Sequence, residues 1–407
     1  MSTSDPRLLL DDELLDTFRD RASRHDVANE FPTDDLEDLK ELGYLRLMVP
    51  RELGGLGLTL EQTARMQTRL AAAAPATALA VNMHLITSGV ARVLRARDLD
   101  SLGWLLEEIA RGEVIALGIS EPGNDAVMFD STVTAVPDGE GGYTFTGTKF
   151  FTSLSPVWTR LWIFGRDDSG DEPRLVHALL TRHDEGIHIH DDWDTLGMRP
   201  TQSCTTSLSN VHVPADRIIG YTPVGPNGSP LIFGIFANFL LLIGACYVGI
   251  GDRAVELAVE AATNRRSRTT GARFADDPAI REIVARMGMR QLAARTMIEA
   301  VARDVDELTD HGAGWFPRFT VAKQQATQAA RETVTDALEV VGGAAFRSSA
   351  ELARLYRDVA ASVFHPSQDR VVRSGVANWL LGPIAPVPSA DDDTASHDRE
   401  DAATTDA

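Results

Sequence analysis

Apolar residues Leu8, Leu9, Leu14, Leu15 and Phe18 recur at helical spacing, and Thr33 or Asp34 stands where a cap opens a second helix that Gly43 stops. A third helical stretch begins near Thr59, and Pro75 restarts the period for the run TALAVNMHLITSGVARVL. The pattern changes near Val114. VIALGI, STVTAV, GYTFTGTKFF, RLWIFGR, RLVHALL, GIHIHDDW and CTTSLSNVHVP are β-branched or aromatic runs separated by turn residues, many alternating with period two. After the loop YTPVGPNGSP the helical period returns and lasts to about residue 382, with the segment VAKQQATQAARETVTDALEVVGG closing on a glycine pair suited to a helix C-terminus. The pattern predicts an α+β chain: an N-terminal helical domain over residues 1–112, a central β domain over 113–222, a C-terminal helical domain over 229–382 and a tail over 383–407. The tail has no hydrophobic period and a net charge of −6, the signature of a solvated, disordered segment.

One segment strains a soluble reading. Leu231 to Gly251 carries no charge for 21 residues, which is long enough to span a bilayer. Four glycines, Asn238 and the lack of flanking basic anchors favour a helix buried on all sides instead.

Composition narrows the function classes. The 407 residues carry a net charge of −20, which opposes binding to nucleic-acid backbones or anionic lipid surfaces. Only three lysines, Lys40, Lys149 and Lys323, stand among 39 basic residues. Cys204 and Cys246 form no C-x-x-C pair and no disulfide framework, and the acidic segment MSTSDPRLLLDDELLD lacks the basic and apolar regions of a signal peptide. A cytoplasmic protein is expected.

Spacing alone offers weak chemistry. His188 and His190 share one face of a strand near His183, Asp191 and Asp192, yet no second cluster completes a four-ligand site, so no metal centre is expected. There is no G-x-S-x-G elbow, and Gly54-Gly55-Leu56-Gly57 does not have the spacing of a phosphate loop. Arg265, Arg266 and Arg268 follow a helix, where they either compensate its C-terminus or anchor a phosphate.

Six motifs then coincide in order: VPRELGGLGLT at 49–59, GISEPGND at 118–125, GYTFTGTKFFTS at 142–153, WDTLGMRPTQSCTTSLSNVHVPADRIIG at 193–220, VGGAAF at 341–346 and RLYRD at 354–358. In these the chain resembles the acyl-CoA dehydrogenase family of flavoproteins from residue 8 to about 382. The resemblance implies an N-terminal helical domain, a central β-barrel-like domain and a C-terminal four-helix bundle, assembled as a dimer or tetramer. It implies FAD as cofactor, an acyl-CoA or other small molecule as substrate, and an electron-transfer flavoprotein or a flavin reductase as redox partner. By this analogy Ile119 and Ser120 meet the flavin ring, Phe151 stands where the family usually has a stacking Trp, and Ser153 lies near flavin N5. Arg265 matches an arginine reaching the FAD diphosphate across a dimer, and the stretch Glu339, Gly342 and Gly343 matches the segment receiving the adenine end, with Glu339 in place of Gln. Asn124 and Asp125 are the candidates for substrate contact in a loop about two residues shorter than the family's. The apolar segment becomes the innermost helix of the bundle, which removes the membrane reading.

The departures bear on mechanism. Dehydrogenation needs a carboxylate base for the α-proton. Its usual position, eight residues beyond Asp358, is Pro366 here, and the alternative on the innermost helix has no acid between Gly220 and Gly251. Proline also lacks the N–H that helps polarise the thioester oxygen. His365, one residue away, becomes the candidate catalytic group; His84 is a weaker one. The leading expectation is FAD-dependent α,β-dehydrogenation of an acyl thioester by an atypical site. The alternatives are a flavin-dependent monooxygenase using reduced flavin and O2, and a non-catalytic subunit of a heteromeric dehydrogenase.

Overall fold

The computed structural model describes residues 9–384; Leu8 and most of the acidic tail lie outside the described residues. Five helices come first: α1 Asp12–Ala28, α2 Thr33–Glu41, α3 Leu60–Ala73, α4 Pro75–Arg95 and α5 Gly103–Ala110. Local chemistry sets their starts. Asp11 accepts the Leu14 N–H at 2.9 Å to open α1, and Thr59 forms a reciprocal capping box with Gln62 to open α3. Pro75 occupies the first turn of α4, where no N–H is needed.

Eight strands follow: β1 Ile115–Leu117, β2 Thr134–Pro137, β3 Tyr143–Thr152, β4 Arg160–Asp167, β5 Arg174–Thr181, β6 Ile187–Ile189, β7 Cys204–Val213 and β8 Ile218–Pro223. They form one mixed sheet in the order β6-β7-β3-β2-β4-β5-β8, with β1 parallel to β4. β4 and β5, buried along most of their length, pair antiparallel over eight residues. The C-terminal helices are α6 Pro230–Asn264, α7 Pro278–Asp306, α8 Trp315–Val341, α9 Glu351–Ala360 and α10 Asp369–Leu381.

The uncharged segment lies within α6, against which α3, α4, α7 and α8 all pack. Both α4 and α6 are long and apolar enough to cross a membrane, yet 94% and 89% of their most apolar windows are buried within the protein. They are core helices. Close approach requires glycine: a Cβ on Gly249 would overlap the Thr68 carbonyl of α3 and reach Ala71 at 2.8 Å. Because α3 and α4 lean on α6, the N-terminal and C-terminal helices share one hydrophobic core.

Candidate functional site

A 380 Å³ cavity lies where the sheet meets α4, α6 and the turn after α9. Ile119, Phe151, Ser153 and His365, four of the residues singled out above, all line it. β3 and the turn after it deliver two of them. Phe151 sits near the strand end with φ of +56°, a left-handed conformation costly for a bulky side chain; the residue is 57% exposed and its ring is edge-on to Trp193 at 6.1 Å. Ser153 begins a chain of buried hydroxyls, bonding Ser203 at 2.7 Å, which in turn meets Thr201 at 2.8 Å.

Ile119 arrives on the loop after β1, and a buried ion pair fixes that loop. The Glu121 carboxylate meets the Lys149 ammonium, which also rests 3.9 Å from the centre of the Phe164 ring. Glu121 further accepts from Ser131 Oγ, the Thr132 N–H and Asn124 Nδ2. Burial pushes Lys149 down to about 8; for Glu121, burial acts upward but is outweighed by Lys149, which holds the carboxyl below its ordinary value. Asn124 is thus engaged within the loop, Asp125 points outward as an exposed residue, and half-buried Ser120 pairs by its carbonyl with the Phe150 N–H at 2.8 Å beside the cavity wall.

The segment 193–203, carrying Trp193, Thr195 and Met198, continues the wall beside Phe151 and Ser153. α9 clamps it: Asp358 accepts the Met198 N–H at 2.6 Å, and a Cβ on Gly197 would overlap the Arg357 carbonyl. Arg357 lines the cavity and is ion-paired with Asp26 of α1.

His365 completes the site. Its Nδ1 lies 3.0 Å from the Tyr247 hydroxyl of α6, and Lys323 of α8 donates to the carbonyls of His365 at 2.9 Å and Ser367 at 3.1 Å. Burial, reinforced by Lys323, lowers His365 to about 3, so the ring is neutral; burial also lowers Lys323, to about 8. Among the described residues the buried Tyr247 hydroxyl has the single partner His365 Nδ1. Its proton therefore goes to that nitrogen, which leaves the N–H on Nε2. Among the described residues the cavity lining includes no carboxylate.

Other candidates lie elsewhere. His84 is buried, accepts the Ile115 N–H on Nδ1 at 3.0 Å and so donates from Nε2 to the Leu45 carbonyl at 2.8 Å; both nitrogens are engaged in holding α4 to its neighbours. His190 bonds Ser207, with the His188 ring 4.5 Å away. Arg265 ends α6, where it donates to the Val340 and Val341 carbonyls that close α8 and stacks on Phe274 at 4.5 Å. It meets Gly342 and lies near Glu339 and Gly343, about 33 Å along α6 from Ile243 of the same chain, as expected of a group that the resemblance assigns to a partner subunit's cofactor. Tyr247, Lys323, Arg357 and Trp193 escaped the sequence reading. Lys323 had a signal, being one of three lysines on an otherwise arginine-rich chain.

Sequence profiles of the acyl-CoA dehydrogenase N-terminal and C-terminal domains match residues 10–95 and 227–365. An L-evernosamine nitrososynthase from a Micromonospora species is 30% identical, covering 84% of this chain and 82% of its own. YdbM of Bacillus subtilis, named a putative acyl-CoA dehydrogenase, is 26% identical over 88% and 92%, and a dibenzothiophene monooxygenase of Rhodococcus qingshengii 28% over 86% and 88%. Among solved structures, KijD3 in complex with FMN and a dTDP-linked amino keto sugar superposes with a TM-score of 0.81 at 29% identity, covering 94% of this chain and 95% of that one.

Proposed function

The chain belongs to the acyl-CoA dehydrogenase family, and within it we propose a flavin-dependent monooxygenase acting on an electron-rich nitrogen or sulfur of a small molecule. The observation that carries this reading is the cavity lining: among the described residues it offers His365 and Arg357 as its only ionisable side chains and no carboxylate to remove an α-proton. His365 is a poor substitute base, since burial beside Lys323 lowers it to about 3, leaving the ring little affinity for a proton, and Nδ1 is engaged by Tyr247. A nitrososynthase, a dibenzothiophene monooxygenase and an FMN-bound neighbour among the relatives support the same reading.

The fold is a flavin-binding one, and the residues present fit a flavin ring. Phe151 offers an exposed aromatic face, the Ser153–Ser203–Thr201 chain offers hydroxyls, and apolar Ile119, Leu117 and Met198 exclude water. FMN is the flavin we assign to the cavity, since it is the one bound in the KijD3 neighbour. When bound in its reduced form, the flavin supplies two electrons to O2, so that one oxygen atom enters the substrate and the other leaves as water. His365 would hold the transferring oxygen by its Nε2–H, Tyr247 would keep that proton in place, and the dry walls would stop premature release of peroxide. Reduced flavin would come from a separate reductase.

The acyl thioester reading and the non-catalytic subunit reading meet the same test. The purified protein is mixed with reduced FMN, O2 and a panel of amines and thioethers, and products are weighed by mass spectrometry. A gain of one oxygen atom is expected. Bleaching of bound oxidised flavin by an acyl-CoA under anaerobic conditions, or no turnover with any partner, overturns the proposal.

A further inference from the structure

A second cavity, of 700 Å³, lies farther toward the N-terminal end of α6. No residue lines both cavities, but two elements run from one to the other. Along α6, Ile232 and Phe236 face the outer cavity while Phe239 and Ile243 face the inner one, positions three or four apart and therefore on one helix face over about 16 Å. The loop after β1 does the same, with Ile119 at the inner cavity and Phe129 at the outer. Phe129 and Phe236 meet at 5.6 Å at the junction.

The outer cavity has its own chemistry. Phe236 crosses Phe316 at 5.2 Å and Phe233 crosses Trp315 at 5.3 Å, so the first turns of α8 supply an aromatic wall with partly exposed rings. In a chain of net charge −20, the lining holds no acid; its one ionisable residue is Arg370 of α10, for which no carboxylate stands within 4 Å among the described residues. Behind the wall, Arg97 lies 4.6 Å over the Phe233 ring, and burial together with repulsion from Arg92 lowers its pKa. Aromatic faces with an unpaired guanidinium select a planar, negatively charged group.

We propose that this outer chamber binds the non-reacting part of the substrate, a planar ring bearing a negative charge, while the reacting heteroatom passes the Phe129–Phe236 junction into the inner cavity. This rests on the inner cavity being the flavin site. Size supports it: pockets for whole ligands run from about 300 to 1,000 Å³, so an inner space of 380 Å³ that also takes a flavin ring has room for only the reacting end of a substrate.

Binding can be tested without turnover, which separates failure of this proposal from failure of the oxygenase reading. The full chain, with and without FMN, is titrated with naphthalene-2-sulfonate and with neutral naphthalene-2-methanol while tryptophan emission is followed. Saturable quenching is expected with the sulfonate. Trp315→Phe should remove most of it, and Arg370→Ala should weaken sulfonate affinity about tenfold while leaving the neutral probe unchanged. Quenching that survives in Trp315→Phe, or equal affinity for the two probes in the unaltered protein, overturns the proposal. Phe236→Ala gives an independent check: in the oxygenation assay it should raise KM more than it lowers kcat, and an unchanged KM counts against the chamber.

Discussion

In the proposed oxygenation His365 acts through one proton, and three neighbouring groups determine where it sits. Tyr247 gives Nδ1 a donor, Lys323 fixes the main chain on both sides of Pro366, and burial keeps the ring neutral down to about pH 3. Tyr247→Phe leaves Nδ1 without its donor and lets the ring proton move there. Oxygenated product per reduced FMN should fall about tenfold with a matching rise in hydrogen peroxide, and His365→Ala should cost about a hundredfold. Peroxide yield measured beside product distinguishes this from simple misfolding. Lys323 predicts a pH effect with a defined sign. With its value lowered from 10.5 to about 8, the folded protein binds fewer protons than the unfolded chain between roughly pH 8 and 10.5, so stability rises with pH there. An alkaline fall in activity near pH 8 therefore cannot come from unfolding at this residue. It should shift to higher pH in Lys323→Arg, while the melting temperature of the unaltered protein does not drop across the same interval.

The elements around the site were legible to different depths, for physical reasons. Thr59 and Pro75 marked helix starts through their own capping chemistry, and the strands announced themselves by alternation, so α3, α4 and β3 lie where the pattern put them. Ile119, Phe151, Ser153 and His365 were reached because each lies inside or beside a short motif. Tyr247 sits in the uncharged run of α6, apolar on both sides of it, so nothing local distinguishes a hydroxyl aimed at His365, 118 residues away. The loop after β1 shows the same limit: the sequence cannot reveal that Glu121 reaches Lys149 or that Asn124 serves the loop itself. Breaking that buried pair should be expensive. Lys149→Met leaves an uncompensated carboxylate at a position with no solvent exposure, and a loss of about 3–5 kcal/mol in urea unfolding is expected. The double variant Glu121→Met with Lys149→Met should recover part of that stability while flavin affinity stays low, because the loop carrying Ile119 has lost its anchor. Full recovery of flavin affinity in the double variant counts against the anchoring role.

At the scale of the whole molecule, the sheet supplies one wall of the site and helices from both ends of the chain supply the rest, so the site exists only when all three parts are joined. α1 reaches it through Asp26 and Arg357, α4 through Leu79 and Met83, and α6 through Phe239 and Ile243. The helices are joined chiefly at the α3–α6 crossing, where Gly249 lets the two backbones approach. Two consequences follow for unfolding. Helices and sheet should melt in one transition, with far-UV circular dichroism and the emission of Trp158 and Trp162, both fully buried beside or within β4, tracing the same curve. Gly249→Val should separate the two: overlap with Thr68 and Ala71 costs about 2–3 kcal/mol, enough to detach α3 and split the curve into an early helical loss and a later change at the tryptophans. Flavin should leave with the first step, since α3 packs on both α4 and α6 and its loss loosens the two helices that close the cavity over the sheet. Coincident curves in Gly249→Val, with flavin retained to the end, would mean that the N-terminal helices are held to the sheet strongly enough without α6, and that the shared helical core is not what keeps the site assembled.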